Sequence, residues 1–400
     1  MPSTFKFTPL YGAENDGPVC SILQIDSIHI MLDCGWDERL ETDMLSPIKD
    51  YIPLLNAVLI SHADFLHLGA LPYVYSRWDC NVPIFINKDA FLLARFCMED
   101  VMENRLLGEE DCIFGKDDIS KVCECFRTVV YNQQERIMSE TGDVVYINAR
   151  EAGHMIGGSI WDIITETDHL VYSMNINPQP DNHLRGASSD VSGNISLLIT
   201  DACEHMTEKS RYNSQLEKAK FGHFSYLITD TLRDKHGSVL IPVDSVGRCL
   251  EVILLLERVW KESNLENYKV LFLSSRSSQT VNYIQGIASN LNERILQQSA
   301  EAERKAFDLQ FVTCVSIVEN VLESQASKVV IATLPGLETS FAQTLLKKWC
   351  TRSENLLLFV CSPPPDTLGY RILNSPEEST FEFIVREKRG IDRRTDSESR

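Results

Sequence analysis

The chain lacks any long apolar run. None of its stretches reaches the roughly 18 residues that would cross a bilayer. Its first residues, MPSTFKFTPLYG, have neither the basic start nor the apolar stretch of a secretory signal. A soluble chain that is not secreted is the reading, with no membrane partner. A cysteine framework is missing as well. Twelve cysteines are scattered without a CxxC pair, and the single CxC is Cys123 and Cys125. Cys20, Cys34, Cys314 and Cys361 fall inside apolar runs, where a thiol in a reducing compartment is a small hydrophobe. This excludes a disulfide scaffold and points to the cytosol or nucleus. Positive charge is scarce: 38 basic residues stand against 57 acidic ones, for a net charge of −19. Such a surface repels phosphates at long range and argues against autonomous nucleic-acid binding. The local basic clusters, LRDKHG at 232–237 and VREKRGIDRR at 385–394, read as a solvated loop and tail. Low-complexity blocks and short repeats are absent, and GIDRRTDSESR at 390–400 has no apolar periodicity and reads as disordered.

What is there suffices for large cores. Four hundred residues with 44% apolar content suggest two domains. The first half reads as short strands: VCSILQI and HIMLDC flank Asp26-Ser27 like a hairpin, and LNAVLISH, VPIFIN, RTVVYN, DVVYINA, SIWDIIT, LVYSMNI and SLLITDA follow. DAFLLARFCMEDVMEN and DDISKVCECF have helical spacing, with Asp89 placed to cap the first. Sheet packed on sheet with outer helices accommodates this pattern. Near residue 210 the rhythm changes to strand-helix alternation: SVLIPVD, YKVLFLSS, FVTCVS, KVVIATLPG and LLLFVCS, most leading into an amphipathic helix. That is the pattern of a parallel sheet with crossover helices. The expected division is 1–208, 209–389 and a tail at 390–400.

Four polar motifs close first-half strands, where loops converge on sites. They are LDCG (32–35), ISHADFLHLGALP (60–72), EAGHMIGGS (151–159) and YSMNIN (172–177). The second places His62 and His67 five residues apart; the third flanks His154 with glycines. On these motifs the chain resembles the metallo-β-lactamase superfamily, in its β-CASP nucleic-acid-processing branch. The resemblance implies an α/β fold, a metallo-β-lactamase αββα sandwich with an inserted β-CASP parallel α/β domain. Active members carry His-x-His-x-Asp-His-x-Gly, an AGH histidine and a bridging Asp, which hold two zinc ions for phosphodiester hydrolysis.

Laid on that pattern, His62, His67 and His154 keep histidine positions, and Asp33 and Asp201 match acidic ones. Asp64 stands where a His belongs, Leu66 where the Asp belongs, and Asn175 where the bridging Asp belongs. Leu66 has no lone pair and neutral Asn175 is no anionic bridge. The resemblance therefore implies a degenerate metal site at these eight positions, with no catalytic residues, no metal and no cofactor. A single zinc on His62, Asp64 and His154, with Asn175 as a poor fourth ligand, is the enzymatic alternative, a mono-zinc RNA hydrolase. The bland alternative bonds the three histidines to backbone, Asp64 and Asp33. His29, His169, His183, His205, His223 and His236 show no ligand spacing and read as surface or turn residues.

GPVCSILQID, VLISHADFLHLGALPYV, AGHMIGGSIW, HLRGA and IPVDSVGR narrow the resemblance, over about residues 5–390, to the non-catalytic β-CASP subunits of the cleavage and polyadenylation specificity factor. Asn175 marks a divergent member, and the family's C-terminal return strands and heterodimerisation domain have no counterpart here, so the chain reads as C-terminally incomplete. The resemblance implies a nuclear scaffold of pre-mRNA 3′-end processing. Its partners would be the catalytic β-CASP nuclease subunit, symplekin and other polyadenylation factor subunits, with pre-mRNA met through the complex. The inactive β-CASP subunit of the Integrator complex is the competing assignment.

Overall fold

The computed structural model describes residues 4–105, 113–188, 193–201, 214–287, 291–293, 295–297 and 307–375. The expected boundary at 208/209, His205, the basic cluster at 385–394 and the tail at 390–400 lie outside the described residues.

The first sheet runs in chain order: β1 (Phe5–Tyr11), β2 (Cys20–Ile25), β3 (Ile28–Leu32), β4 (Ala57–Leu59), β5 (Ile84–Asn87) and β6 (Phe126–Val129). Strands β1 to β3 are antiparallel, and β3 to β6 are parallel. The hairpin read from the sequence is present, with Asp26 at φ 50° in its turn. Between these strands lie α1 (Phe65–Leu68), α2 (Leu71–Arg77), α3 (Phe91–Asn104) and α4 (Lys116–Cys125). Asp89 does not cap α3. The N-cap is Ala90, and the Asp89 N–H is itself tied to Asn87 Oδ1 at 2.9 Å. The sequence pattern passed over β1 because Pro9 interrupts it; the strand tolerates the proline at the sheet edge, beside a register shift between Pro9 and Tyr11.

The second sheet holds β7 (Gln134–Met138), β8 (Val144–Glu151), β9 (Ser159–Ile164), β10 (His169–Ser173) and β11 (Leu197–Thr200), in the order β11-β10-β9-β8-β7. It meets the first face to face through Leu23, Ile30, Leu59, Ile147, Trp161 and Tyr172. Each strand alternates inward apolar residues with outward ones, the period of two that a sandwich requires.

The third sheet belongs to a separate unit: α5 (Ser214–Arg233), β12 (Val239–Pro242), α6 (Arg248–Ser263), β13 (Lys269–Leu273), α7 (Ser277–Gly286), β14 (Val312–Val315), α8 (Val318–Leu322), β15 (Lys328–Ala332), α9 (Ser340–Trp349), β16 (Leu356–Leu357) and α10 (Leu368–Asn374). All its pairings are parallel, in the order β14-β13-β15-β12-β16. Four of its strands are apolar nearly throughout, as sheets covered on both faces are.

The two units share one apolar cluster that runs from Val58 and Leu93 to Val239 and Phe272. Buried carboxylates fasten its edges. Asp100 Oδ1 on α3 accepts from Ser274 Oγ at 2.8 Å and the Ser275 N–H at 2.7 Å. Glu38 accepts from the Gly336 N–H at 2.6 Å and the Glu338 N–H at 3.1 Å. Burial pushes the Glu38 carboxyl up to about 8. These fastenings hold the motif loops of the sandwich against the start of α6.

Candidate functional site: a histidine cluster between the two units

The histidine loop begins where β4 ends and turns directly into α1. Asp64 is the N-cap of that helix: its Oδ1 accepts the Leu66 N–H at 3.0 Å. The short helix places His62 and His67 with ring centroids 4.9 Å apart, and the AGH turn brings the His154 ring to 5.4 Å from His62. Gly35 admits the loop. A Cβ there would sit 1.7 Å from the Leu66 carbonyl oxygen. Gly153, at φ 74°, is equally constrained, since a Cβ would meet Ala187 N and Asn177 O at 2.3 Å. Asp33 (φ 57°) and Asn175 (φ 44°) sit just past their strands in left-handed conformations that Asp and Asn tolerate better than most residues.

Asp33 is fully buried and accepts three hydrogen bonds: from the Ser61 N–H at 2.7 Å, Ser61 Oγ at 2.7 Å and Tyr172 OH at 2.6 Å. Burial pushes its pKa up, and these bonds with the charge of His67 oppose the rise. Ser61 spends its single hydroxyl proton on Asp33. His62 Nδ1, 2.9 Å from the same oxygen, must therefore donate to it. His62 Nε2 is then unprotonated, and it is buried with no partner among the described residues. Burial and the neighbouring His67 and His154 hold the His62 pKa well below its ordinary value.

His67 differs at both nitrogens. Nδ1 meets Asp64 Oδ1 at 2.7 Å, and Nε2 meets the Asn175 amide at 3.2 Å. Burial alone would lower its pKa, but Asp64, with Asp33 and Asp201 behind it, raises it to about 9. It is the Asn175 Nδ2 that faces Nε2 here, whereas the imidazolium form would need the amide oxygen there as acceptor. Asp64 is correspondingly held far below the carboxylate range: burial raises it, and His67 outweighs burial. Asp201 Oδ2 accepts the Asn175 N–H at 3.1 Å and so holds that turn. His154, half-buried, is lowered to about 4, mainly by burial. Leu66 contributes its backbone alone: its carbonyl accepts the Val19 N–H at 2.9 Å.

All eight sequence-predicted positions thus lie in one neighbourhood, though Asp33 reaches His62 only through Ser61. A zinc pair does not fit the donors present. Leu66 offers none, and His67 has both nitrogens engaged. Among the described residues no three His, Cys, Asp or Glu side chains converge to hold a metal ion.

Sequence reasoning missed the supports. Ser61 and Tyr172, which hold Asp33, lie inside the motifs at 60–72 and 172–177 but match no ligand position of the family pattern. Two of the histidines read as surface or turn residues do lie at turns but are drawn inward by carboxylates: His183 in a bend and His169 at the start of β10. His183 is buried and bonds Glu251 Oε2 at 2.9 Å, and His169 Nε2 meets Asp162 Oδ1 at 2.9 Å. The HLRGA segment thereby ties the sandwich to α6, where Arg248 also pairs with Asp181 at 3.2 Å. His223 and His236 are exposed, as expected.

Comparison with known proteins agrees with this architecture. A Metallo-beta-lactamase superfamily domain model matches residues 22–202, and a Beta-Casp domain model matches 249–372. The Probable cleavage and polyadenylation specificity factor subunit 2 of Caenorhabditis elegans is 31% identical over 397 residues, covering 98% of this chain and 46% of that protein. The Drosophila melanogaster protein of the same name is 32% identical over 394 residues, covering 97% and 51%. Integrator complex subunit 11 of Danio rerio is 25% identical over 390 residues, covering 96% and 62%. The chain spans about half the length of the cleavage and polyadenylation relatives it matches. With a sandwich domain and a parallel-sheet domain that each match their family, the chain belongs to the metallo-beta-lactamase superfamily in its Beta-Casp branch, among homologues of cleavage and polyadenylation specificity factor subunit 2.

Proposed function

We propose that this chain is a non-catalytic subunit of the cleavage and polyadenylation specificity factor, acting as a nuclear scaffold in pre-mRNA 3′-end processing. One observation carries the reading: His67, a metal-ligand position of active relatives, is consumed by Asp64 and Asn175 while Leu66 stands beside it without a donor. A two-metal hydrolase needs both sides of its site open to metal. Here one side is closed by the protein's own hydrogen bonds. Its partners in this reading are the catalytic β-CASP nuclease subunit, symplekin and the other polyadenylation factor subunits, and pre-mRNA is reached through them. The Integrator assignment is weaker, because identity to the Integrator relative is 25% against 31–32% for the polyadenylation relatives.

Affinity purification of the tagged chain from nuclear extract tests this, together with an RNA cleavage assay on the isolated chain. The expected result is recovery of polyadenylation factors and no cleavage. Cleavage lost on His154→Ala, or recovery of Integrator subunits instead, would contradict it.

A further inference from the structure

At the base of the parallel sheet, where β13 and β15 begin, a cleft of about 360 Å³ opens between β13, β14 and α8. Lys269 and Lys328, the first residues of β13 and β15, are register partners and both line it. Lys328 is only 4% exposed. Its ammonium donates to the carbonyl of Val321, in the last turn of α8, at 2.7 Å and to that of Ser324, two residues past the helix. Capping the last carbonyls of a helix is an ordinary use of lysine. It accounts for two of the three hydrogens and leaves the third without a partner among the described residues. Among the described residues no carboxylate neutralises the charge. Glu266, the one acidic group in the lining, is exposed and bonds neither lysine. A buried cation without an anion is costly, and burial with the nearby Lys269 lowers the Lys328 pKa. The walls include Tyr268 and Phe311, and Asn320 adds an amide. The cleft is at the small end of the range for ligand sites, about 300–1,000 Å³.

We propose that this cleft binds an anionic small ligand, a carboxylate or phosphate ester, with its charge at Lys328 and Lys269 and its body against Tyr268 and Phe311. The two lysines supply charge-assisted hydrogen bonds, and the ligand supplies the anion that Lys328 lacks.

Calorimetric titration of the chain with benzoate and, separately, with inorganic phosphate tests the proposal. The expected result is saturable millimolar binding of at least one anion. Lys328→Gln removes it, and Lys269→Gln, at an exposed position where folding is not at stake, weakens it about fivefold, equivalent to about 1 kcal/mol. His154→Ala leaves it unchanged. Tighter benzoate binding identifies an aromatic carboxylate, and tighter phosphate binding a phosphate ester. No binding, or binding equal in the wild type and both lysine variants, an adventitious ion only, overturns the proposal and leaves Lys328 a helix cap. Loss in His154→Ala with retention in Lys269→Gln overturns it too, since the anion would then lie in the histidine cluster.

Discussion

His62 and His67 occupy the same loop, 4.9 Å apart between ring centroids, and their surroundings have diverged. His62 keeps the arrangement of a metal-binding imidazole: one nitrogen oriented from behind by Ser61 and Asp33, the other buried and open. Supports of that kind are what fix a ligand's tautomer in metal sites. His67 is closed, its nitrogens satisfied by Asp64 and Asn175. On the proposed reading, the difference is how a metal site would be lost without the fold collapsing. In that reading a protonated His67, its pKa raised to about 9 by Asp64, Asp33 and Asp201, is the counter-charge to those carboxylates in place of a dication.

The sharpest way to break this comparison is to remove what holds the His62 side. Asp33→Ala strands two Ser61 donors and the Tyr172 hydroxyl in the core, and should cost about 4 kcal/mol in urea denaturation, in the range for a broken buried network. A loss under about 1 kcal/mol would mean Asp33 is not the anchor. The His67 side is tested by a double-mutant cycle of Asp64→Asn and His67→Gln. The expected coupling energy is about 2 kcal/mol, as for a buried charge-assisted bond; zero coupling would remove the pair from the account.

The third contrast is protonation. The His67 pKa of about 9 lies above the free value of 6.5, so its contribution to stability is fully present below 6.5 and is lost as pH rises through 9. His154, lowered to about 4, has the opposite sign: stability falls as pH drops from 6.5 toward 4, where the unfolded chain binds the proton first. Imidazole NMR at pH 7.5 should show His67 charged, with His62 and His154 neutral. A neutral His67 would erase the contrast. The smallest effect belongs to Asn175→Asp, expected to change stability by under about 1 kcal/mol because it exchanges one partner of His67 for another. It should not create a metal site, since Leu66 still offers no donor.

Much of this was legible in the sequence. The hairpin at Asp26, the short strands and the later strand-helix alternation follow from local periodicity. The eight site positions come from the resemblance of the strand-end motifs to the metallo-β-lactamase pattern. The internal wiring was not legible. That His67 takes Asp64 and Asn175, 108 positions away, while Asp33 takes Ser61 and Tyr172, 139 positions away, depends on the facing of two sheets. The burial of His183 was not legible because its partner Glu251 lies 68 positions further on, across the junction with α6. Pro9 concealed an edge strand, and Asn87 took the turn in which Asp89 was expected to cap.

Zinc content tests the central claim most directly. The chain would be purified without chelator and measured by mass spectrometry beside His154→Ala. The account predicts that both contain no stoichiometric zinc, because Asp64 and Asn175, which would have to join His62 and His154 around a single ion, are spent on His67 and the Leu66 N–H. One zinc per chain, lost in His154→Ala, would contradict it: His62 Nε2 would then be a working ligand, with Asp64 rebuilt into half of a metal site.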